Sequence, residues 1–92
     1  MYNPQHPGII LKDEVLIPLR ISVAEAAMKL GVSRKNLSGV LNGRISITPN
    51  MALRIAKAFN STPEVWLREQ LAYDLWHAKQ TINLDNVQVM CG

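Results

Sequence analysis

The side chains best suited to bind another molecule lie close together in residues 33–44. Arginine and lysine can donate to guanine edges and to phosphates, and asparagine can pair with adenine. Such side chains on one helix are typical of a surface that reads duplex DNA in the major groove. The candidate DNA-binding residues are Ser33, Arg34, Lys35, Asn36, Ser38, Gly39, Asn42 and Arg44.

These candidates have different expected roles. Ser33 precedes a predicted helix, whose N-terminus carries partial positive charge, and we expect it to meet a phosphate. Arg44 follows the same helix, and we expect a second phosphate contact there, with an ordinary solvated arginine as the alternative. The residues expected to read bases are Arg34, Lys35, Asn36 and Ser38.

Gly39 needs a separate explanation, because glycine inside a helix costs about 1 kcal/mol relative to alanine. We interpret it as a point where the helix backbone comes close to the bases. Packing of one helix on another is the alternative explanation.

Residues 22–42 have the pattern of a helix-turn-helix. Ala27 is small where two helices must cross closely, and Gly31 allows the positive φ that the turn requires. An apolar wedge between the two helices is formed by Val32, Leu37 and Val40. An ordinary helical hairpin whose charges are only solvated would show much of the same pattern.

The elements that position this motif are all helical. N-cap residues precede four of the predicted helices, at Ser22, Ser33, Thr48 and Thr62, and Glu25 completes a capping box with the first of them. Pro18 ends the first helix. The predicted helices span residues 8–16, 23–30, 34–41, 49–59 and 63–79. Five helices with short connections predict a compact all-α domain.

Several packing expectations follow from helical periodicity. We assign the inner face of the second helix to Ala24, Ala27 and Leu30, with Met28 as a further candidate, and we place Trp66 in the core. Arg54 is expected to form a structural ion pair. A face of the last helix should meet a second chain, and the candidate dimer-interface residues are Leu71, Leu75 and Trp76.

Length and composition exclude several classes of protein. Ninety-two residues make one small domain, and a net charge of +3 permits an anionic partner without proving one. No apolar run reaches the roughly 18 residues of a membrane span, and the start lacks the regions of a signal peptide. With a single cysteine, Cys91, the chain is expected to be cytoplasmic and reduced.

No enzyme constellation and no cofactor-binding pattern emerges from the sequence. His6 and His77 stand alone, without further ligands at metal-binding spacing, so a cap or surface role is expected for them.

The chain resembles the HigA/VapI-like antitoxins, a branch of the Xre (Cro/CI-type) helix-turn-helix proteins. The resemblance covers residues 6 to about 79, in order and at the expected spacing. The matching stretches are His6-Pro7-Gly8 with Ile10-Leu11, Val32-Ser33-Arg34, Leu37-Ser38, Leu41-Asn42-Gly43-Arg44, Ile47-Thr48-Pro49 with Met51-Ala52-Leu53-Arg54, Ser61-Thr62-Pro63-Glu64 with Trp66-Leu67, and Tyr73-Asp74-Leu75-Trp76.

The resemblance implies a lambda repressor-like domain over residues 6–80. Such proteins form homodimers that bind palindromic operators on double-stranded DNA and act as repressors, and most also bind a RelE-like ribonuclease toxin. Two positions depart from the family pattern: Arg20 replaces a frequent glycine, and Val23 replaces a frequent polar residue that grips phosphate. The tail, residues 81–92, matches nothing in the family and is expected to be a weak strand or hairpin, or disordered.

Three functions remain open from the sequence. The first is an autorepressor of the antitoxin type that has a toxin partner. The second is a solitary transcriptional regulator without a toxin. The third is a protein-interaction module whose helix-turn-helix no longer binds DNA.

Overall fold

The protein, described by a computed structural model over residues 3–92, is built from helices, and those residues contain no β-strand. Met1 and Tyr2, which begin the segment expected to lack a signal peptide, lie outside the described residues. None of the described helices combines the length and apolar character needed to cross a membrane. The helices are α1 (Pro7–Leu11, continued by a π-helical turn over Lys12–Leu16), α2 (Val23–Leu30), α3 (Arg34–Leu41), α4 (Pro49–Phe59) and α5 (Pro63–Thr81).

Three of the four predicted side-chain caps form; the predicted cap at Thr62 is wrong, because its side chain makes no capping hydrogen bond. The hydroxyl groups of Ser22, Ser33 and Thr48 each accept a hydrogen bond from the backbone amide three residues later, at 3.1, 3.0 and 3.2 Å. The capping box at α2 is only half formed, because the Glu25 carboxylate pairs with Lys29 Nζ at 3.0 Å. Each of these hydroxyl groups thereby accepts from a backbone amide in the first turn, which has no carbonyl partner within the helix.

The turn between α2 and α3 has the geometry that the sequence predicts. Gly31 adopts φ 73° and ψ 33°, in the left-handed region. The amide of Val32 donates to the Ala27 carbonyl at 3.1 Å, which closes the end of α2. This turn fixes the direction in which α3 leaves α2.

The core lies where α1 packs on α3 and α5, α2 packs on α3 and α4, and α4 packs on α5. Its most deeply buried apolar side chains include Leu11, Leu37, Val40, Leu41 and Ile55. Trp66 is buried, as predicted, and its indole Nε1 donates to Ser61 Oγ at 3.0 Å. Leu37, Val40 and Leu41 of α3 therefore anchor this helix in the core.

One prediction about the face of α2 is wrong. Ala24 and Met28 are exposed, and Ala26 occupies the core beside Ala27 and Leu30. The buried face is rotated relative to the prediction because both α3 and α4 pack on this short helix.

Arg20 and Val23, the two positions that depart from the family pattern, have different roles in the fold. Arg20 takes the left-handed conformation, with φ 57°, so the turn after Pro18 uses an arginine in the conformation that glycine adopts most readily. Val23 is half-buried and packs against the core cluster. Its side chain supplies packing at the start of α2.

The C-terminal part of the chain extends away from the core. The radius of gyration is 15.8 Å, against about 12 Å for a compact chain of this length. α5 continues two residues beyond the predicted end, and residues 82–92 form neither the strand nor the hairpin that the sequence offered beside disorder. Those residues are exposed and contain one turn, closed by a 2.9 Å hydrogen bond from the Val87 amide to the Leu84 carbonyl.

Candidate nucleic-acid interface

The outer face of α3 presents polar and cationic side chains to solvent. Leu37, Val40 and Leu41 point into the core and are at most 2% exposed. The exposed side chains of this segment are Arg34, Lys35, Asn36 and Asn42. The structure thus brings four of the candidate DNA-binding residues onto one side of a helix that stands at the surface.

The two candidate serines are both engaged within the motif. Ser33 Oγ accepts from the Asn36 amide as the N-cap, which leaves its hydroxyl hydrogen free to donate. Ser38 is half-buried, and its Oγ accepts from Asn42 Nδ2 at 3.4 Å. Ser33 can therefore donate to a phosphate at the helix N-terminus, while Ser38 helps to orient the Asn42 amide.

Positive charge is concentrated in the middle of the chain, although the net charge of the whole chain is only +3. Residues 26–63 contain six lysines and arginines and no acidic residue, so they carry +6 while the rest carries −3. In the described part of the chain, the one ion pair joins Lys29 to Glu25. Arg34, Lys35 and Arg44 therefore face solvent without an acidic partner, and the segment is a focused cationic surface.

Gly39 is buried under Ile45 of the following loop, so the alternative explanation, packing of one helix on another, is wrong. A Cβ atom built on Gly39 would lie 2.8 Å from Ile45 Cγ1 and still closer to Ile45 Cδ1. The carbonyl of Gly39 accepts hydrogen bonds from the amides of Arg44 and Ile45, at 2.9 and 3.1 Å. The following loop folds back over this point of α3, and glycine at position 39 leaves room for the Ile45 side chain.

The folded-back loop places Arg44 beside the helix. Arg44 is exposed, and with Lys35, Ser38, Gly39 and Ile45 it lines a shallow cleft of about 390 Å³. Two cations at one cleft on the surface form a site that suits an anionic group such as a phosphate.

Gln70, which sequence analysis missed, ties this loop to α5. It is 5% exposed, its Oε1 accepts from the Ile47 amide at 2.8 Å, and its Nε2 donates to Asp74 Oδ1 at 2.9 Å. The only signal in the sequence was a polar residue four positions after Trp66, on the face that packs against the domain.

Replacing Gln70 by leucine should destabilise the protein, because the buried Ile47 amide would lose its acceptor. An unsatisfied buried donor costs about 1–3 kcal/mol, and each kcal/mol lowers the Tm of a domain this size by about 4–8 °C. Thermal denaturation followed by circular dichroism measures the change. Gln80→Leu, at an exposed position of the same helix, is the control; equal Tm values for the two variants would contradict the role of Gln70.

His6 caps α1 from a buried position. Its Nδ1 accepts from the Gly8 amide at 2.9 Å, and its ring lies edge-on to Tyr73 with centroids 4.9 Å apart. This is the cap role expected of His6. Burial lowers the pKa of the imidazole, against the opposing effects of the Asp74 carboxylate and of a hydrogen bond with the Ile45 backbone.

Stability should fall as the pH drops through the ordinary histidine range. The folded-state pKa of His6 lies below the unfolded-state value of about 6.5, so the unfolded chain binds the proton first as the pH falls. Proton binding stabilises the unfolded state, and the free energy of unfolding decreases. The Tm should decrease between pH 7.5 and pH 5.5. In His6→Asn, whose amide oxygen can replace Nδ1 as the cap acceptor, the decrease should be smaller; the same decrease in both proteins would contradict this assignment.

Arg54 has a structural role, but the predicted ion pair is wrong. Its Nη1 donates to the Leu30 carbonyl at 2.9 Å and to the Gly31 carbonyl at 3.2 Å, and its Nε donates to Asn50 Oδ1 at 2.8 Å. These bonds satisfy carbonyl groups at the end of α2, so Arg54 fixes the turn that precedes α3.

The candidate interface residues lie on the outer part of α5. Leu71 and Leu75 are 58% and 49% exposed, and Trp76 is half-buried with its ring against His77. Two large leucines one helical turn apart form an apolar strip that the core does not cover.

The sequence comparison identifies the motif. The family model described as helix-turn-helix matches residues 13–67, which include α2, the turn and α3. The chain belongs to the helix-turn-helix family. Within this family it groups with HigA/VapI-like proteins: antitoxin HigA-1 of Vibrio cholerae is 38% identical over 77 residues, which cover 84% of this chain and 72% of the relative.

A second relative in the helix-turn-helix family extends beyond this chain. Virulence-associated protein A′ of Dichelobacter nodosus is 47% identical over 76 residues, which cover 82% of this chain. The matched region spans 65% of that relative's own length, just under two thirds.

Solved structures of the family share the whole architecture. Antitoxin GraA superposes with a TM-score of 0.91 at 34% identity, over 98% of this chain and all of that one. GraA in complex with its operator superposes with a TM-score of 0.89, also at 34% identity, over 99% of this chain and 95% of that one. The five-helix fold predicted from the sequence is confirmed.

Proposed function

We propose that this protein is a sequence-specific transcriptional repressor of the HigA antitoxin type, acting as a homodimer on a palindromic operator in the cytoplasm. The observation that carries the proposal is the outer face of α3, where Arg34, Lys35, Asn36 and Asn42 stand exposed on a segment without acidic residues. The structural likeness to GraA, which has been solved with its operator, supports it.

In the proposed complex, each subunit places α3 in one major groove, and the two helices lie about 34 Å apart, one turn of DNA. Arg34, Lys35 and Asn36 reach base edges, and Asn42 is oriented by Ser38 to join them. Ser33 and Arg44 contact phosphates on either side and set the register of the helix. Bound at a promoter, such a dimer would exclude RNA polymerase.

The dimer surface is proposed on α5. Leu71 and Leu75 are exposed apolar residues on the same side of the helix, and Trp76 stands next to them. A strip of this kind on a small domain is typical of a contact with another chain. Covering it in a dimer would also stabilise a small core.

We further propose a RelE-like ribonuclease as the protein partner, on the basis of the relationship to antitoxin HigA-1. A solitary regulator is the alternative, and the two differ in gene neighbourhood. An adjacent gene of about a hundred codons for a basic protein that co-purifies with this chain would support the antitoxin. A bound operator without any such neighbour would favour the solitary regulator.

Selection of bound sequences from random DNA, at a stated salt concentration, tests the DNA-binding proposal. The expected result is a two-fold symmetric site whose half-sites are about 10 base pairs apart, with affinity that falls steeply as salt rises. No enriched sequence, together with salt-independent binding to proteins, would favour the interaction module that has lost DNA binding.

A further inference from the structure

Ile45 occupies the middle of the surface proposed to read DNA, although no sequence signal marks it. Its side chain covers Gly39, with Cγ1 and Cδ1 at the space that a Cβ atom of residue 39 would take. Lys35 lies four residues before Gly39 and Asn42 lies three residues after it, so all three share one stripe of α3. An isoleucine thus covers Gly39, the middle residue of that stripe.

The side chain of Ile45 is exposed to solvent, whereas its backbone is fixed by a hydrogen bond. Ile45 is 41% exposed and lines the cleft that also contains Lys35, Ser38 and Arg44. The Ile45 amide donates to the Gly39 carbonyl at 3.1 Å, and two residues later the Ile47 amide is held by Gln70. The loop therefore holds an apolar group on the outer face of a polar helix.

We propose that Ile45 is a specificity-determining residue that contacts the 5-methyl group of a thymine in the major groove. In that groove the base edges are polar except for the thymine methyl, which accepts apolar contacts. An exposed isoleucine in a cleft that also contains Lys35 and Arg44 is unfavourable in water and becomes favourable when it buries a methyl group of the duplex. This inference rests on the proposed function and adds a base preference to it.

The test uses the operator obtained by selection from random DNA, with each thymine replaced in turn by deoxyuridine, which lacks only the methyl group. For the wild-type chain, substitution at one symmetry-related pair of positions should weaken binding by roughly fourfold per half-site, the value of one buried methyl group. In Ile45→Ala the same substitution should change the affinity by less than twofold. Ile45→Val, which keeps a branched side chain, should retain part of the sensitivity.

Met28→Ala removes another exposed apolar side chain, at 73% exposure on α2, and should keep the wild-type sensitivity. The Tm of Ile45→Ala is measured beside that of the wild type; equal values show that a change in binding is not caused by a loss of stability. An operator that binds the wild type but is insensitive to every thymine-to-deoxyuridine substitution would overturn this inference alone. So would a sensitivity that persists in Ile45→Ala. Failure to enrich any sequence would overturn the proposed function and this inference with it.

Discussion

Gly8→Ala is expected to destabilise the protein by about 3 kcal/mol, the upper end of the usual cost of overpacking. Gly8 lies in α1 where that helix approaches α3, and a Cβ atom there would lie 2.6 Å from the Val40 carbonyl carbon and in contact with its oxygen. Backbone cannot yield as a flexible side chain can, so α1 would have to move away from α3. The Tm measured by calorimetry should fall by about 12–24 °C.

Gly39→Ala provides a matched control for this prediction. Its Cβ atom would meet only the side chain of Ile45, which can rotate away, and alanine gains about 1 kcal/mol of helix propensity. The Tm of Gly39→Ala should therefore remain within a few degrees of the wild type. A Gly8→Ala protein as stable as Gly39→Ala would contradict the close packing of α1 on α3.

The double variant Arg34→Ala, Lys35→Ala is expected to lose operator binding while keeping its fold. Both side chains are exposed, and neither forms an ion pair in the described part of the chain, so their loss removes no salt bridge from the folded state. Each contact is worth about 1–3 kcal/mol, and a dimer loses four, which predicts at least about 4 kcal/mol or roughly a thousandfold in Kd. Fluorescence anisotropy with labelled operator measures the change.

The double variant Lys57→Ala, Arg68→Ala is the control for net charge. It removes the same two charges from exposed positions on α4 and α5, away from the proposed reading face. Its Kd should stay within a few fold of the wild type. If both pairs weakened binding equally, only the total charge would matter, and the assignment to α3 would be wrong.

Features encoded by local signals could be predicted from the sequence. The N-caps at Ser22, Ser33 and Thr48 and the left-handed Gly31 each depend on a few neighbouring residues. Helical periodicity likewise separated the inner from the outer face of α3. These local rules were enough to place the helix-turn-helix and its exposed residues.

Features that depend on distant parts of the chain could not be predicted. Gly39 is explained by Ile45, six residues away, and Gln70 is explained by a loop 23 residues earlier. Arg54 was expected to meet an acid, yet its partners are carbonyl groups at the end of α2. Periodicity within one helix says nothing about which loop will lie against it. The sequence marks Arg44 in the loop after α3, but the way this loop folds over Gly39 could not be predicted.

We expect the exposed face of α3 to enter the major groove of DNA. Methylation footprinting with dimethyl sulfate on the selected operator tests it most directly, because this reagent modifies guanine N7 in the major groove and adenine N3 in the minor groove. We predict that the dimer protects guanine N7 at two sets of positions about one helical turn apart, and that Arg34→Ala, Lys35→Ala removes this protection. Protection confined to adenine N3, or guanine protection unchanged in the double variant, would contradict the account.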